Sequence, residues 1–128
     1  MTIPSIARTV LALGGGFMAL AVMLGAFGAH GLKHRLDEAL MAVYQTGVQY
    51  HVYHALGLIL VGLSLCLMPD NRLLRSSAWL LCGGIVIFSG SLYILALSGI
   101  KWLGAITPIG GLAFIAAWIC FVVGVLRG

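Results

Sequence analysis

Charge is what this 128-residue chain has least of: three Asp and Glu against seven Lys and Arg, with charged side chains 8% of the whole. Soluble domains carry roughly a quarter of their residues as charged side chains, so a water-soluble fold is excluded. The few basic residues are scattered over loops and ends, where they meet lipid headgroups or set orientation, and this argues against nucleic-acid binding. A CxxC pair is also missing. The three cysteines, Cys66, Cys82 and Cys120, are odd in number and sit in apolar surroundings, so they read as packed thiols and say nothing of redox compartment. No GxSxG elbow or in-span acid supports Ser89-Gly90-Ser91 as a hydrolase site, and Gly14-Gly15-Gly16 lies in an apolar helix rather than a phosphate loop. No catalytic residue is named on these grounds.

What fills the chain instead is apolar sequence, 62% of it. Four runs stand out: Val10–Ala29, Gly47–Met68, Trp79–Leu97 and Pro108–Leu126, none containing Asp, Glu, Lys or Arg. Each has roughly 19–22 residues, and a helix rising ~1.5 Å per residue needs ~20 to cross a ~30 Å hydrocarbon core. The expected fold is therefore all-α: a four-helix transmembrane bundle forming one integral membrane domain over 1–128, with no separate soluble unit. The N-terminal run has the look of a signal peptide, with Arg8 before the apolar core and Gly25–Ala29 after it. Its span length favours a retained first helix.

The breaks add detail. Leu32, Leu36, Leu40 and Val43 recur at helical spacing among Lys33, His34, Arg35, Asp37 and Glu38. That pattern predicts a short amphipathic surface helix between helices one and two; with no proline intervening it can run on into helix two, Gly47 being the expected bend. Gly31 suits a left-handed close to helix one. Pro69-Asp70-Asn71-Arg72 forms a tight turn. Thr107 reads as an N-cap with Pro108 at the first helical position. Trp79 and Trp102 fall at the interfaces, while Trp118 falls deeper, as a packed ring. Two rows of small residues at four-residue spacing, Ala21–Gly25–Ala29 and Ala116–Cys120–Gly124, predict close helix contacts. Arg8, Arg72, Arg75 and Arg127 share one membrane side and Lys33, Arg35 and Lys101 the other, which favours both termini in the cytoplasm.

Connectivity gathers the polar side chains at one end. His30 ends helix one, His34 lies in the connection, and His51 and His54 fall in the first turns of helix two. Tyr44, Gln45, Gln49, Tyr50 and Tyr53 belong to the same neighbourhood, as do Ser89, Ser91, Tyr93, Ser98 and Thr107. Three readings compete. Imidazoles three and four residues apart share a helix face and can hold copper, zinc or haem iron, with His30, His51 and His54 as candidate ligands. A proton or ion path needs ionisable groups that continue through the bilayer, and here they stop at one edge. The third reading is that His and Tyr bond loop backbone and interfacial water and so close the bundle. Candidate ligand-binding residues are His30, His54, Tyr50, Tyr53, Ser89, Ser91, Tyr93 and Thr107. Asp37 and Glu38 read as a solvated helix face able to pair with Lys33 or Arg35.

The segments Gly25-Ala26-Phe27-Gly28-Ala29-His30-Gly31-Leu32, Tyr53-His54-Ala55-Leu56, Phe88-Ser89-Gly90-Ser91-Leu92-Tyr93 and Ile106-Thr107-Pro108-Ile109-Gly110-Gly111 resemble the transmembrane-protein-256-like family, domain of unknown function 423. The resemblance runs in order over nearly the whole chain. It implies a small integral membrane protein of four helices, placed in bacteria in the inner membrane, and it carries over no activity, substrate or cofactor. His30, His54, Ser89, Ser91, Tyr93, Thr107 and Pro108 match the family's recurring positions, whereas His34 and His51 lie outside the matching blocks. The expected role is a structural or accessory component of the bilayer that packs with itself or with a larger membrane complex. The alternative is a binder of a haem, a metal ion or a lipid-like small molecule at a one-sided His/Tyr cluster.

Overall fold

Hydrocarbon offers no partner to a backbone N–H or C=O, so each apolar run must close its own hydrogen bonds as a helix. The computed structural model, which describes residues 2–128, does this in four long helices. They are α1 (Ser5–Leu32), α2 (Glu38–Leu67), α3 (Arg72–Ser98) and α4 (Lys101–Arg127). At 27 to 30 residues each, they run about 40–45 Å and extend beyond the hydrocarbon at their ends. The all-α, four-span architecture is as the apolar runs predict.

Local chemistry sets the boundaries. Asp37 accepts a hydrogen bond from Leu40 N at 2.8 Å and so caps α2, with Glu38 in the first turn where the helix dipole favours an anion. The expected surface helix is thus no separate element. Its residues from Glu38 onward are the first turns of α2, and Lys33–Asp37 form the turn before it. Nor does Gly47 bend the chain; its missing side chain admits the Tyr93 ring, whose Cε1 lies 2.9 Å from where a Cβ would stand. Asn71 caps α3 in the same way as Asp37 caps α2, accepting from Leu74 N at 3.1 Å.

Helix one does not close on a left-handed Gly31. It widens into a π turn over Gly28–Leu32, and the left-handed residue is Gly99, φ 72° and ψ 10°, at the end of α3. Gly28 is where α1 meets the Tyr44 ring, a contact that leaves no room for a Cβ. A second π turn, Ile85–Ser89, interrupts α3. The fourth helix starts as a 3₁₀ turn, Lys101–Ala105, and becomes α-helical at Thr107 with Pro108 in its first turn. Thr107 is not the cap, because its hydroxyl is engaged across the bundle.

Helix α2 is central: 44% of its most apolar stretch is buried, against 17% for α1. α1 packs on α2, α2 on α3, and α3 on α4, while Phe114 and Trp118 of α4 also reach α2. The contact rows repeat every seven residues. Ala7, Gly14, Ala21 and Gly28 are buried on α1, and Gly110, Ala117 and Gly124 on α4. On α2 the row is Tyr44, His51, Leu58 and Leu65. A seven-residue step drifts only ~20° around a straight helix, so these rows stay on one contact line as in left-handed membrane bundles. A four-residue step turns about 40° each time. That is why, of Ala21–Gly25–Ala29, Ala21 is buried, Gly25 is half-buried and Ala29 is exposed. Ala116 and Cys120 are likewise half-buried, and only Gly124 is fully covered, against Asn71 and Leu73.

The main core joins Ala7, Val10, Leu58, Leu65, Leu81 and Phe114 with their neighbours, and a smaller one joins Leu32, Tyr44 and Ala96. Outward-facing Leu, Ile and Val cover the rest, which lipid solvates and water would not. Trp79 and Trp102 are exposed and Trp118 is half-buried against the core.

Candidate functional site

Because α2 begins at Glu38 rather than near Gly47, His51 lies thirteen residues in, about 20 Å from the helix start, and His54 about 25 Å. Both imidazoles are therefore near the middle of a 30-residue helix. His30 is exposed in the last turn of α1, and His34 is exposed in the following turn. The His51 ring meets the edge of Phe17, with centroids 6.0 Å apart, and Phe17 is thirteen residues or about 20 Å of helix from His30. The four histidines thus do not gather at one end.

What does converge is a seam of polar side chains between helices. His51 is 1% exposed, and its Nδ1 shares a proton with the Tyr93 hydroxyl at 2.8 Å, tying α2 to α3. Its Nε2 is buried without a protein partner. The Ser89 hydroxyl donates to the Gly47 carbonyl at 2.7 Å, a second α3-to-α2 tie, from the last residue of the π turn. Tyr44 Oη donates to the Leu24 carbonyl at 2.5 Å and ties α2 to α1, and its ring tilts over Tyr93 at 5.3 Å. The Ser91 and Thr107 hydroxyls meet at 2.6 Å and tie α3 to α4. At the opposite end Asn71 Nδ2 donates to the Gly124 carbonyl at 2.8 Å. In hydrocarbon an unpaired donor or acceptor costs several kcal/mol, so each bond made here favours one helix arrangement over its alternatives.

His54 is used differently. Its Nδ1 lies 2.7 Å from the Tyr50 carbonyl, which can only accept, so the neutral ring carries its proton on Nδ1. The ring lies flat on Phe114, centroids 3.6 Å apart and planes 7° apart, and joins α4 to α2. Tyr50 and Tyr53 stand on the exposed side of α2, where Gln49 Nε2 donates to Tyr53 Oη at 2.7 Å. A crevice of about 190 Å³ opens beside Tyr44, between Gly25 and Gly28 of α1 and Gln45 and Gln49 of α2.

The structure does not bring the candidate metal ligands His30, His51 and His54 together. Among the described residues no three His, Cys, Asp or Glu side chains come close enough to hold an ion. His30 is remote, His51 is bonded to Tyr93, and His54 is held flat against Phe114. The expected ligand set also divides: Ser89, Ser91, Tyr93 and Thr107 serve the seam, His54 serves the α4 contact, and His30, Tyr50 and Tyr53 face outward. Neither serine has a base, since Ser89 bonds Gly47 and Ser91 bonds Thr107 and the Phe88 carbonyl. Sequence reasoning undervalued Tyr44, Phe17 and Phe114. The signal that points to Tyr44 is the seven-residue row of small residues on α1, whose last member, Gly28, makes room for that ring from α2.

A family model described as a protein of unknown function, DUF423, matches residues 24–111. The chain belongs to the DUF423 family. The match takes in both partners of the Tyr44–Leu24, Gly47–Ser89, His51–Tyr93 and Ser91–Thr107 bonds, and leaves out Phe17, Phe114 and Gly124. Among DUF423 relatives, the UPF0382 membrane protein YwdK of Bacillus subtilis is 48% identical over 94% of this chain and 98% of its own length. The UPF0382 membrane protein SH2409 of Staphylococcus haemolyticus is 46% identical over 94% and 97%. A UPF0382 membrane protein of Haemophilus influenzae is 42% identical over 91% and 90%. No solved structure matches the chain. Like these relatives, this DUF423 chain is a membrane protein, and four apolar helices place it in the bilayer.

Proposed function

We propose that this DUF423 protein is a structural or accessory component of the bacterial inner membrane, working as a packed helical block rather than as an enzyme. One observation carries the reading. The polar side chains between the helices are mostly taken up by bonds within the protein, with His51 Nε2 the exception, and among the described residues no three His, Cys, Asp or Glu side chains stand together as an ion's ligands.

The face offered to a second copy or to a larger complex is the outer side of α3. There Gly83 and Gly90 have no atom within 4 Å of where a Cβ would stand, between exposed Trp79, Val86 and Ile94. Flush glycines let another helix approach closely where lipid supplies no hydrophobic drive. Photocrosslinking from Val86 in native membranes tests this: a discrete crosslinked species that Gly83→Leu abolishes supports it. A protein that stays monomeric in nanodiscs and crosslinks only to lipid refutes it. Both termini, with the turn at Asp70, are assigned to the cytoplasm, on four Arg against Lys33, Arg35 and Lys101. A C-terminal fluorescent fusion that glows, while an alkaline phosphatase fusion stays inactive, is the expected result.

A further inference from the structure

Helix α1 keeps most of its circumference outside the bundle, and that outer face is not smooth. A groove of about 610 Å³ runs along it, with Arg8 and Thr9 at the mouth, Ala12 and Gly16 on the floor and Phe17 and Leu20 as walls. Gly16 has no atom within 4 Å of where a Cβ would stand, so nothing in the protein fills the floor. From Arg8 to Leu20 is twelve residues, about 18 Å of helix, close to the ~15 Å depth of one leaflet's hydrocarbon.

The mouth is cationic and unpaired. Among the described residues the one ion pair joins Arg75 to Asp70 at 3.5 Å, so Arg8 has no carboxylate within 4 Å. Arg8, Arg72, Arg75 and Arg127 share this membrane side with Asp70 as its one acid. The Thr9 hydroxyl already donates to the Ser5 carbonyl at 3.1 Å, which leaves recognition of an anion to Arg8. A guanidinium presents a planar fork that suits two phosphate oxygens at once.

We propose that this groove holds one acyl chain of an anionic phospholipid, with the lipid phosphate seated on Arg8. A second copy of the chain fits the same face poorly. A two-fold pairing in one membrane orientation sets each contact residue near its own mate, which would bring the two Arg8 guanidinia together. A phospholipid brings the opposite charge at the same depth and an apolar tail of the right reach.

The test uses the full chain in nanodiscs of equal phosphatidylglycerol and phosphatidylcholine, followed by gentle release and native mass spectrometry of the retained lipid. One phosphatidylglycerol per protein is expected, in preference to phosphatidylcholine. Arg8→Gln should lower that retention about fivefold, the effect of one basic residue at an anionic surface, with phosphatidylcholine unchanged. Gly16→Leu, which fills the floor without touching another helix, should lower retention of both lipids at an unchanged melting temperature. Arg72→Gln, on the same membrane side but outside the groove, should leave retention as it is. Equal retention by the parent and Arg8→Gln overturns the proposal, and so does an equal loss in Arg72→Gln, which would mean diffuse attraction. A lipid-free dimer that Gly16→Leu converts to monomer overturns it too, giving the groove to a second copy.

Discussion

Replacing Tyr93 by Phe removes one oxygen and keeps the ring that fills the space beside Gly47, so it isolates the His51–Tyr93 tie from packing. His51 is 1% exposed and its Nε2 already lacks a partner, so losing the hydroxyl strands its second nitrogen. Interhelical hydrogen bonds measured in membranes average about 0.6 kcal/mol and reach about 1.7. Stranding a buried polar atom adds its unmet desolvation, so Tyr93→Phe should destabilise by about 1–2 kcal/mol. His51→Leu removes both nitrogens together, after which the Tyr93 hydroxyl is the group without a partner. The double variant Tyr93→Phe/His51→Leu should therefore lose less than the sum of the two single losses, by about 0.6–1.7 kcal/mol. Unfolding in mixed micelles, followed by the fluorescence of half-buried Trp118, reads all four corners of the cycle. Additive losses, or a Tyr93→Phe variant as stable as the parent, would refute the claim that this bond holds α3 to α2.

The remaining predictions contrast neighbours that a sequence treats alike. Gly14→Ala puts a Cβ 2.8 Å from Ile59 Cγ1 and 3.2 Å from the Ala55 carbonyl, and should destabilise by about 1–3 kcal/mol, read by the same unfolding curve. Gly15→Ala meets no atom within 4 Å and should be neutral or gain up to about 1 kcal/mol from helix propensity. His54→Ala removes the face stacked on Phe114 and should lower thermal stability by about 1–3 kcal/mol, while His30→Ala, exposed at the end of α1, should melt like the parent. Asp37→Ala deletes the α2 cap and should cost about 0.5–2 kcal/mol, with helix fraying at Glu38 visible by amide hydrogen exchange.

The four helices were legible because hydrocarbon imposes one requirement on every apolar run, whatever its neighbours. Depth was not, and α2 explains why. Its apolar run starts at Gly47, but the cap at Asp37 starts the helix at Glu38, nine residues or about 13 Å earlier. The last charges before α2, Asp37 and Glu38, stand at the cap itself, while Tyr44, Gln45 and Thr46 delay the apolar run to Gly47, more than two turns later. Counted from Glu38 instead of Gly47, His51 and His54 fall mid-helix, apart from His30 and His34 at the end of α1. Gly25 and Ala29 misled for a related reason: single small residues look equivalent in a sequence, and only a repeat that tracks the contact line separates those under a neighbour from those under lipid. Ser91 and Thr107, placed on one side by connectivity alone, lie 2.6 Å apart in the structure.

The widened turn at Ile85–Ser89 sets the phase of everything after it. Winding these same five residues as ordinary α-helix would swing the remainder of α3 by about one residue's rotation, ~100°. Tyr93 and Ser91 would then point away from their mates on two different helices. A one-codon deletion between Ile85 and Ser89 removes the extra residue and the widening together and keeps Ser91 and Tyr93 near their present phase, whereas the same deletion in the ordinary α turns just before it would turn both away.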